Sequence, residues 1–558
     1  MIRNYTIDRN GALRIAAGFI LFLFLFEVYV VGVNYSQYFV YLFDNEGVFF
    51  SAIAIVFFFI AIYLCFYFVQ YSLSAAWPYR LISMLIFAFS LLVEYGYQKA
   101  LGRFSDRIDI ETAIAATPEQ QTTSIMMYLN WRAVIPGAVL FALLIFCRPK
   151  RPGGLKGFLL VNLLLVLGFA AFPFLVDQKF QTLALGASYR TTIDFLINGP
   201  LKSGKWAGKM TGVELRRRVV AKPDLSPDHR PSNNVIIVVD ESVMGDHLSL
   251  NGYQRKTTPF LDELERRGIL RNWGIATAAS TGSRFTYTAL IAGLSPDDFP
   301  DPTEFKVNTF PTLFQYAKAM GYRTYFFDGQ MVSYWGGIED DANYIENWQG
   351  ILDVTDHAGF ETWQIDNMIA AKVKPLIYGS TGNFIFIFKH GSHIPYQSNF
   401  PPDQELWSPS YRTDYKFAIP GGDRLPEVVN AYDNSIKYNV NTFFQNLIDD
   451  YASIPNNSVI IYTGDHGQTL FKNGRSSHGG NTIAEATVPL FMIGGPNTEV
   501  DTNYKASHQN IFPTVLDLIG YPAELRDHSN SPSLLKAKSS DSRPRFFNPD
   551  LSHKIPFD

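Results

Sequence analysis

Cysteine is almost missing from this sequence: there are two in 558 residues, Cys65 and Cys147. Both lie in apolar runs, so no disulfide can form anywhere after residue 147. Histidine is absent from the first 228 residues, and all ten fall at or after His229. Neither sign of charge is in excess. With a formal net charge of −4, nothing points to a polyanionic partner such as nucleic acid. What is abundant is aromatic, with 46 Phe and 30 Tyr, in a chain too long for one ordinary domain.

The aromatic and apolar residues concentrate early. Five runs, near 13–33, 49–70, 80–96, 133–147 and 155–176, are predicted to cross a bilayer. The fourth is short enough to fit a re-entrant or tilted segment as well. Arg3, Arg9 and Arg14 precede the first run, and "RPKRPGGLK" joins the fourth to the fifth, whereas the loop after the first run carries no Lys or Arg. Basic loops stay on the cytoplasmic side. The N-terminus is therefore expected inside, and everything after 176 outside. Residues 177–232 are either a polar linker or a segment resting on lipid headgroups.

From 233 to about 525 short β-rich runs alternate with helical patterns. "NVIIVV", "RTYFF", "NFIFIF", "SVIIYT" and "VPLFMI" suit strands buried on both faces. "TPFLDELERRG", "TFPTLFQYAKAMG", "LPEVVNAYDNSIKYNVNTFFQNLIDDY" and "QNIFPTVLDLIG" suit helices. The alternation predicts an α/β domain with a mostly parallel central sheet. Residues 526–558, rich in Ser, Pro and charge, are expected to form a surface extension or to be partly disordered.

Such sheets bind ligands beyond the carboxyl ends of their strands. Four of these strands are followed by ligand-type side chains: Asp240 and Glu241, Asp328, His390 and His393, and Asp465 and His466. A carboxylate with Asp-His suits zinc, with manganese as the alternative. Asp465 and His466 are adjacent, so both reach one metal only if the chain turns, which Gly464 and Gly467 permit. The stretch "NWGIATAASTGSRFTYTALIAGL" supplies four candidate nucleophiles, Thr277, Ser280, Thr281 and Ser283, any of which also fits a helix cap. His247 and His508 read as structural.

Together, "NVIIVVDESVMGDHLSLNGYQRKTTPFLDEL", "GIATAAS", "YDNSI" and "GDHGQTL" with its trailing His478 resemble the alkaline phosphatase/sulfatase superfamily. Within it they are similar to the membrane phosphoethanolamine transferases, over essentially the whole chain. The resemblance implies that Glu241, Thr277, Asp465 and His466 bind the catalytic zinc and that Thr277 is the nucleophile. It gives His393 and His478 the phosphate or a second metal. Asp328 and Gln330 stand nearest to the family's substrate-contacting positions, and His390, three residues before His393, joins them as a substrate-binding candidate. The implied reaction takes phosphoethanolamine from phosphatidylethanolamine, through a phospho-threonine, to an envelope glycan or glycolipid such as lipid A. It implies a bacterial inner-membrane protein with a periplasmic catalytic domain. The chain departs from the lipid A-modifying members where Trp273 and Ser283 replace cysteines. Two other functions fit the pattern: glycerol-phosphate transfer of the lipoteichoic acid synthase type, and a non-catalytic lipid sensor. The Cys/Ser-x-Pro-x-Arg motif of active sulfatases does not occur in the nucleophile segment.

Overall fold

The structure is a computed structural model. It describes residues 5–31, 52, 55–56, 58–60, 62–101, 132, 134–164, 219–295, 310–330, 347–350, 361–412, 422–449, 451, 455, 458–472, 478–526, 531–549 and 554–558. Two compact units emerge, Met1–Val213 and Glu214–Asp558.

In the first unit Asp8 caps the helix Arg9–Phe26, accepting the Gly11 N–H at 2.8 Å, and a π-helical turn, Glu27–Val31, continues it. Among the described residues two helices, Arg9–Val31 and Trp77–Gln98, are long and apolar enough to cross a membrane. Three shorter apolar helices accompany them: Phe58–Ser74, Val134–Phe146 and Leu155–Leu164. The expected spans 49–70 and 155–176, and the bridge 177–232, lie partly outside the described residues. Inside this bundle the Tyr95 hydroxyl donates to the buried Glu27 carboxylate at 2.8 Å, which offsets part of the cost of an acid among apolar side chains.

The second unit is organised by its Val, Ile and Phe runs. Its strands are β1 (Asn234–Asp240), β2 (Leu270–Thr277), β3 (Arg323–Asp328), β4 (Asn347–Gly350), β5 (Asn383–Phe388), β6 (Ser458–Gly464) and β7 (Thr487–Gly494). They form one sheet in the order β2-β7-β6-β1-β5-β3-β4. Of these seven strands β7 alone points opposite to the other six. The period of two splits each central strand between two cores. Val235, Ile237 and Val239 face one side; Ile236 and Val238 face the other.

Helices cover both faces: α1 (Pro259–Arg266), α2 (Ser283–Ala292), α3 (Leu313–Ala319), α4 (Ile365–Gly379), α5 (Leu425–Ile436) and α6 (Ile511–Leu518). The core around Val235 takes its apolar residues from α2, α3 and α6. The core around Ile236 takes them from α1, α4 and α5. The five expected strands are all present, four parallel and one, β7, antiparallel. β2 was not anticipated, because "LRNWGIAT" mixes polar with apolar residues. A bulge at Gly274, with φ +71°, breaks its register between Asn272 and Ile275. β4 and α4 were not anticipated either.

The segment after 525 is more than a surface extension. Leu534 and Ala537 enter the first core. Asn548 N–H donates to Ala279 O at 2.9 Å, and the Arg545 guanidinium donates to Ile275 O at 3.0 Å. Isolated apolar residues in a Ser/Pro-rich stretch show no periodicity, so this docking left no pattern to read.

Candidate active site

Because β7 alone is reversed, the other six strands deliver their carboxyl ends to one edge. β1 runs into Glu241, β2 ends at Thr277, β3 at Asp328, β5 runs into Lys389–His393, and β6 into Asp465 and His466. Glu241, Thr277, Asp465 and His466 are each at most 2% exposed. Ligand atoms of Glu241, Asp465 and His466 lie within 4.8 Å of one another, and so do those of Glu241, His393 and His478. Glu241 belongs to both groups.

The backbone around the first group is specialised. Ser242 has φ +63°, a left-handed conformation costing a non-glycine residue roughly 1–3 kcal/mol. That turn aims its N–H at Asp465 Oδ1 (2.8 Å) and its hydroxyl at Glu241 Oε1 (2.5 Å). Asp465 Oδ1 also accepts the His466 N–H at 2.7 Å. Gly464 and Gly467 do flank a change of direction, but neither has a positive φ. Both are needed for close approach instead. A Cβ at Gly467 would lie 2.1 Å from Ala484 O, and one at Gly464 2.7 Å from Val243 O.

The four candidate hydroxyls separate by what they touch. Ser280 Oγ accepts Gly282 N–H at 3.3 Å, and Thr281 Oγ1 donates to Gly480 O at 2.8 Å. The Thr281 contact, with Gly479 N–H donating to Thr281 O at 3.0 Å, ties the loop of His478 to the nucleophile segment. Ser283 opens α2, yet Gly282 is the cap residue and no side chain caps the helix. Ser283 Oγ lies instead 3.2 Å from Glu241 Oε2 and 3.1 Å from His466 Nε2. Thr277 is no helix cap: it ends a strand, and its buried Oγ1 has no hydrogen-bond partner.

Proton counting tests whether a cation fits. His466 Nδ1 faces Gly467 O at 3.0 Å, so it carries the ring proton and leaves Nε2 as a bare lone pair. Around Nε2 stand Asp465 Oδ2 at 3.3 Å, Glu241 Oε1 at 3.5 Å and Ser283 Oγ. Two hydroxyl hydrogens serve these acceptors, those of Ser283 and of Ser242 on Glu241 Oε1, and Asp465 Oδ2 has no hydrogen-bond donor. A mixed oxygen and nitrogen set short of hydrogens fits a divalent cation.

The protonation energetics agree. Burial and the adjacent Glu241 push the Asp465 carboxyl well above the usual range. Burial also opposes charge on Glu241, but His466, His393 and His478 outweigh it and hold that carboxyl below its usual range. Burial lowers His466, and lowers His478 further with help from His466. The rings of His466 and His478 stack at 4.3 Å, and those of His393 and His478 lie 5.7 Å apart.

Asp328 and Gln330 form a turn at the end of β3, where Asp328 Oδ1 accepts Gln330 N–H at 2.8 Å. Gln330 Nε2 donates to the Tyr287 hydroxyl at 2.9 Å and to Lys389 O at 2.6 Å. His390 is half-buried and its N–H donates to Asp366 Oδ1 at 2.8 Å. His247 is structural, its Nδ1 being 2.7 Å from Asp433 Oδ1.

Several supporting residues escaped the sequence reading. Lys389 is fully buried, paired with Asp240 and 3.5 Å from Asp366, which locks the ends of β1 and β5 together. Gly391, at φ +64°, passes so close to β1 that a Cβ would lie 2.4 Å from Asp240 Oδ1. His508 does more than close the domain. Its Nδ1 accepts Ala279 N–H at 3.2 Å, so its proton sits on Nε2 and reaches Gly464 O at 3.0 Å. It thereby stitches the segment after Thr277 to the one before Asp465.

The sulfatase family profile matches residues 233–521. The chain belongs to the sulfatase family. Among curated relatives, this sulfatase-family chain is 22% identical over 250 residues to the Kdo(2)-lipid A phosphoethanolamine 7''-transferase of Escherichia coli K12. That match spans 44% of this chain and 41% of the relative. Its fold is that of the integral membrane protein lipooligosaccharide phosphoethanolamine transferase A from Neisseria meningitidis. The TM-score is 0.57 at 18% identity, over 93% of this chain and 99% of that one. The C-terminal periplasmic domain of EcEptC from Escherichia coli, solved in complex with Zn, gives a TM-score of 0.50. Identity there is 20%, over 61% of this chain and 96% of that one.

Proposed function

We propose that the protein is a membrane-bound, zinc-dependent transferase. It moves phosphoethanolamine from phosphatidylethanolamine to a hydroxyl or phosphate of an envelope glycan or glycolipid, lipid A included. One observation carries the reading: a buried Glu241–Asp465–His466 group short of hydrogens shares a sheet edge with a threonine hydroxyl that nothing satisfies. Relatives named for phosphoethanolamine transfer support the group transferred, and the zinc complex of the EptC domain supports the metal.

Zinc would be held by Glu241, Thr277, Asp465 and His466, where it supplies Lewis acidity and favours the ionised hydroxyl. The chain does the rest. Thr277 Oγ1 forms a bond to the phosphorus of phosphatidylethanolamine, and the phosphorus–oxygen bond to diacylglycerol breaks. The proton lost by Thr277 ends on the diacylglycerol hydroxyl. In the second half the acceptor oxygen bonds to phosphorus, the bond to Thr277 breaks, and Thr277 regains a proton. His393 and His478, half-buried at the rim, face the phosphoryl oxygens and pass the protons. Asp328, Gln330 and His390 line the approach of the ethanolamine headgroup.

Residues 1–176 form a five-span anchor in the bacterial inner membrane with a cytoplasmic N-terminus. Residues 233–525 are the periplasmic catalytic domain. A lipid donor in the same membrane then meets the site at raised effective concentration.

The deciding measurement is the mass of the Thr277 peptide from protein purified out of its native membrane. A phosphoethanolamine adduct is expected. A glycerol-phosphate adduct would keep the mechanism and replace the donor. An unmodified peptide, together with unchanged envelope phosphate modification in Thr277→Ala, would end the transferase reading.

A further inference from the structure

The Ser283 hydroxyl is left over by that mechanism, and its surroundings are specific. It lies 3.2 Å from Glu241 Oε2 and 3.1 Å from His466 Nε2. One hydroxyl thus reaches two of the four groups that hold the metal in the reading above, Glu241 and His466. Its own helix does not use it, since Gly282 is the cap residue.

The position is held from behind. α2 is anchored in the core by Tyr287, Leu290 and Ile291, so Ser283 is carried on a rigid element. On the other side of the carboxylate group, Ser242 donates to Glu241 Oε1 at 2.5 Å. Each oxygen of Glu241 therefore has its own serine hydroxyl. A carboxylate with both oxygens engaged cannot swing about its terminal bond without losing a hydrogen bond in a dry site, where each is costly to lose.

The proton count says which way the Ser283 hydrogen points when a cation is bound. Between Glu241 Oε2 and the bare Nε2 of His466, a single hydroxyl hydrogen serves only one acceptor. A cation on Nε2 leaves the hydrogen to Glu241.

We propose that Ser283 is a positioning residue of the metal centre, its hydroxyl holding Glu241 in the orientation that Asp465 and His466 require. The proposal rests on the metal-centre reading above. Partners that orient metal ligands are worth about 10- to 100-fold in affinity when removed.

The test is zinc affinity of the full-length protein in detergent, stripped with a chelator and titrated against a chromophoric competitor. Ser283→Ala is expected to bind zinc about 10- to 100-fold more weakly. Ser283→Thr, which keeps the hydroxyl, should stay within about threefold of the parent. The metal-free melting temperature of Ser283→Ala should fall slightly, because one hydrogen bond to Glu241 is lost, and the zinc-loaded one should fall clearly further. An unchanged zinc affinity in Ser283→Ala overturns the proposal. So does an equal fall in both melting temperatures, which would assign Ser283 to folding alone. His466→Ala serves as the separate control. If it too binds zinc like the parent, the metal-centre reading has failed, whatever Ser283 does.

Discussion

The two parts of the active-site edge are built differently. Glu241, Thr277, Asp465 and His466 are at most 2% exposed, and the three ligand-type side chains are held by backbone and serine contacts. His393 and His478 are half-buried. His393 Nδ1 donates to Ile394 O at 2.7 Å, which turns its other nitrogen free of the ring proton. A buried cluster of acids short of hydrogens is relieved by a bound cation or by a proton taken up on Asp465. An imidazole at the rim needs no such partner, and suits a group that arrives and leaves. On the reading proposed above, the contrast is between a permanent occupant and a visiting one, with Glu241 common to both groups.

The sharpest way to probe that division is at Thr277. Thr277→Ala should lower transfer by at least about 1000-fold and abolish the covalent adduct. It should leave the metal-free protein within about 1 kcal/mol of the parent, because the hydroxyl it removes is unsatisfied in the fold. Turnover and denaturant unfolding of the stripped protein measure the two effects.

Next come the histidines compared with each other. His466→Ala should lose about 100-fold or more in zinc affinity. His478→Ala should keep zinc within about tenfold while its turnover falls about 100-fold. Equal losses of zinc in both variants would erase the distinction between the buried end and the rim.

The scaffold under the buried end should be nearly as sensitive. Gly391→Ala puts a Cβ 2.4 Å from Asp240 Oδ1 at φ +64°, so a loss of about 2–4 kcal/mol is expected from backbone strain and overpacking. Thermal unfolding would show it, and a silent Gly391→Ala would mean that β1 and β5 are less tightly locked than their spacing requires.

The smallest effect concerns acid. Burial pushes His508 down to about 3 from an ordinary value near 6.5. Below about 6.5 the unfolded chain takes up a proton that the folded one refuses, so stability is full above that pH and falls as pH drops toward 3. The loss should amount to a few kcal/mol at most. His508→Asn should flatten that slope in unfolding measured across the same window.

Much of this was readable beforehand, and particular residues show why. Continuous runs such as "NVIIVV" and "NFIFIF" have one structural solution, a strand covered on both faces, so the parallel sheet and its ligand-bearing edge were accessible. β2 was hidden by its bulge at Gly274, which breaks the alternation that marks a strand. Gly467 was noticed for the wrong reason: glycine signals conformational freedom in sequence, while here Ala484 O leaves no room for a side chain. Ser242, Lys389 and the stitching role of His508 left no signal, because each acts through a partner more than 40 positions away in the chain. Ser283 stood among four equivalent hydroxyls, and only its neighbours in space separate it from the others.

The central strand pair has one more consequence, for the order in which the chain is made. Ser242 and Asp465, which touch in the finished site, are 223 residues apart in sequence. At about 5–20 residues per second of synthesis, the first half of the centre waits roughly 10 to 45 s for the second. Until β6 arrives to pair with β1, Glu241 has neither Asp465 nor His466 beside it. On the metal-centre reading proposed above, metal capture is therefore a late event in the protein's biogenesis, after Asp465 and His466 have been made.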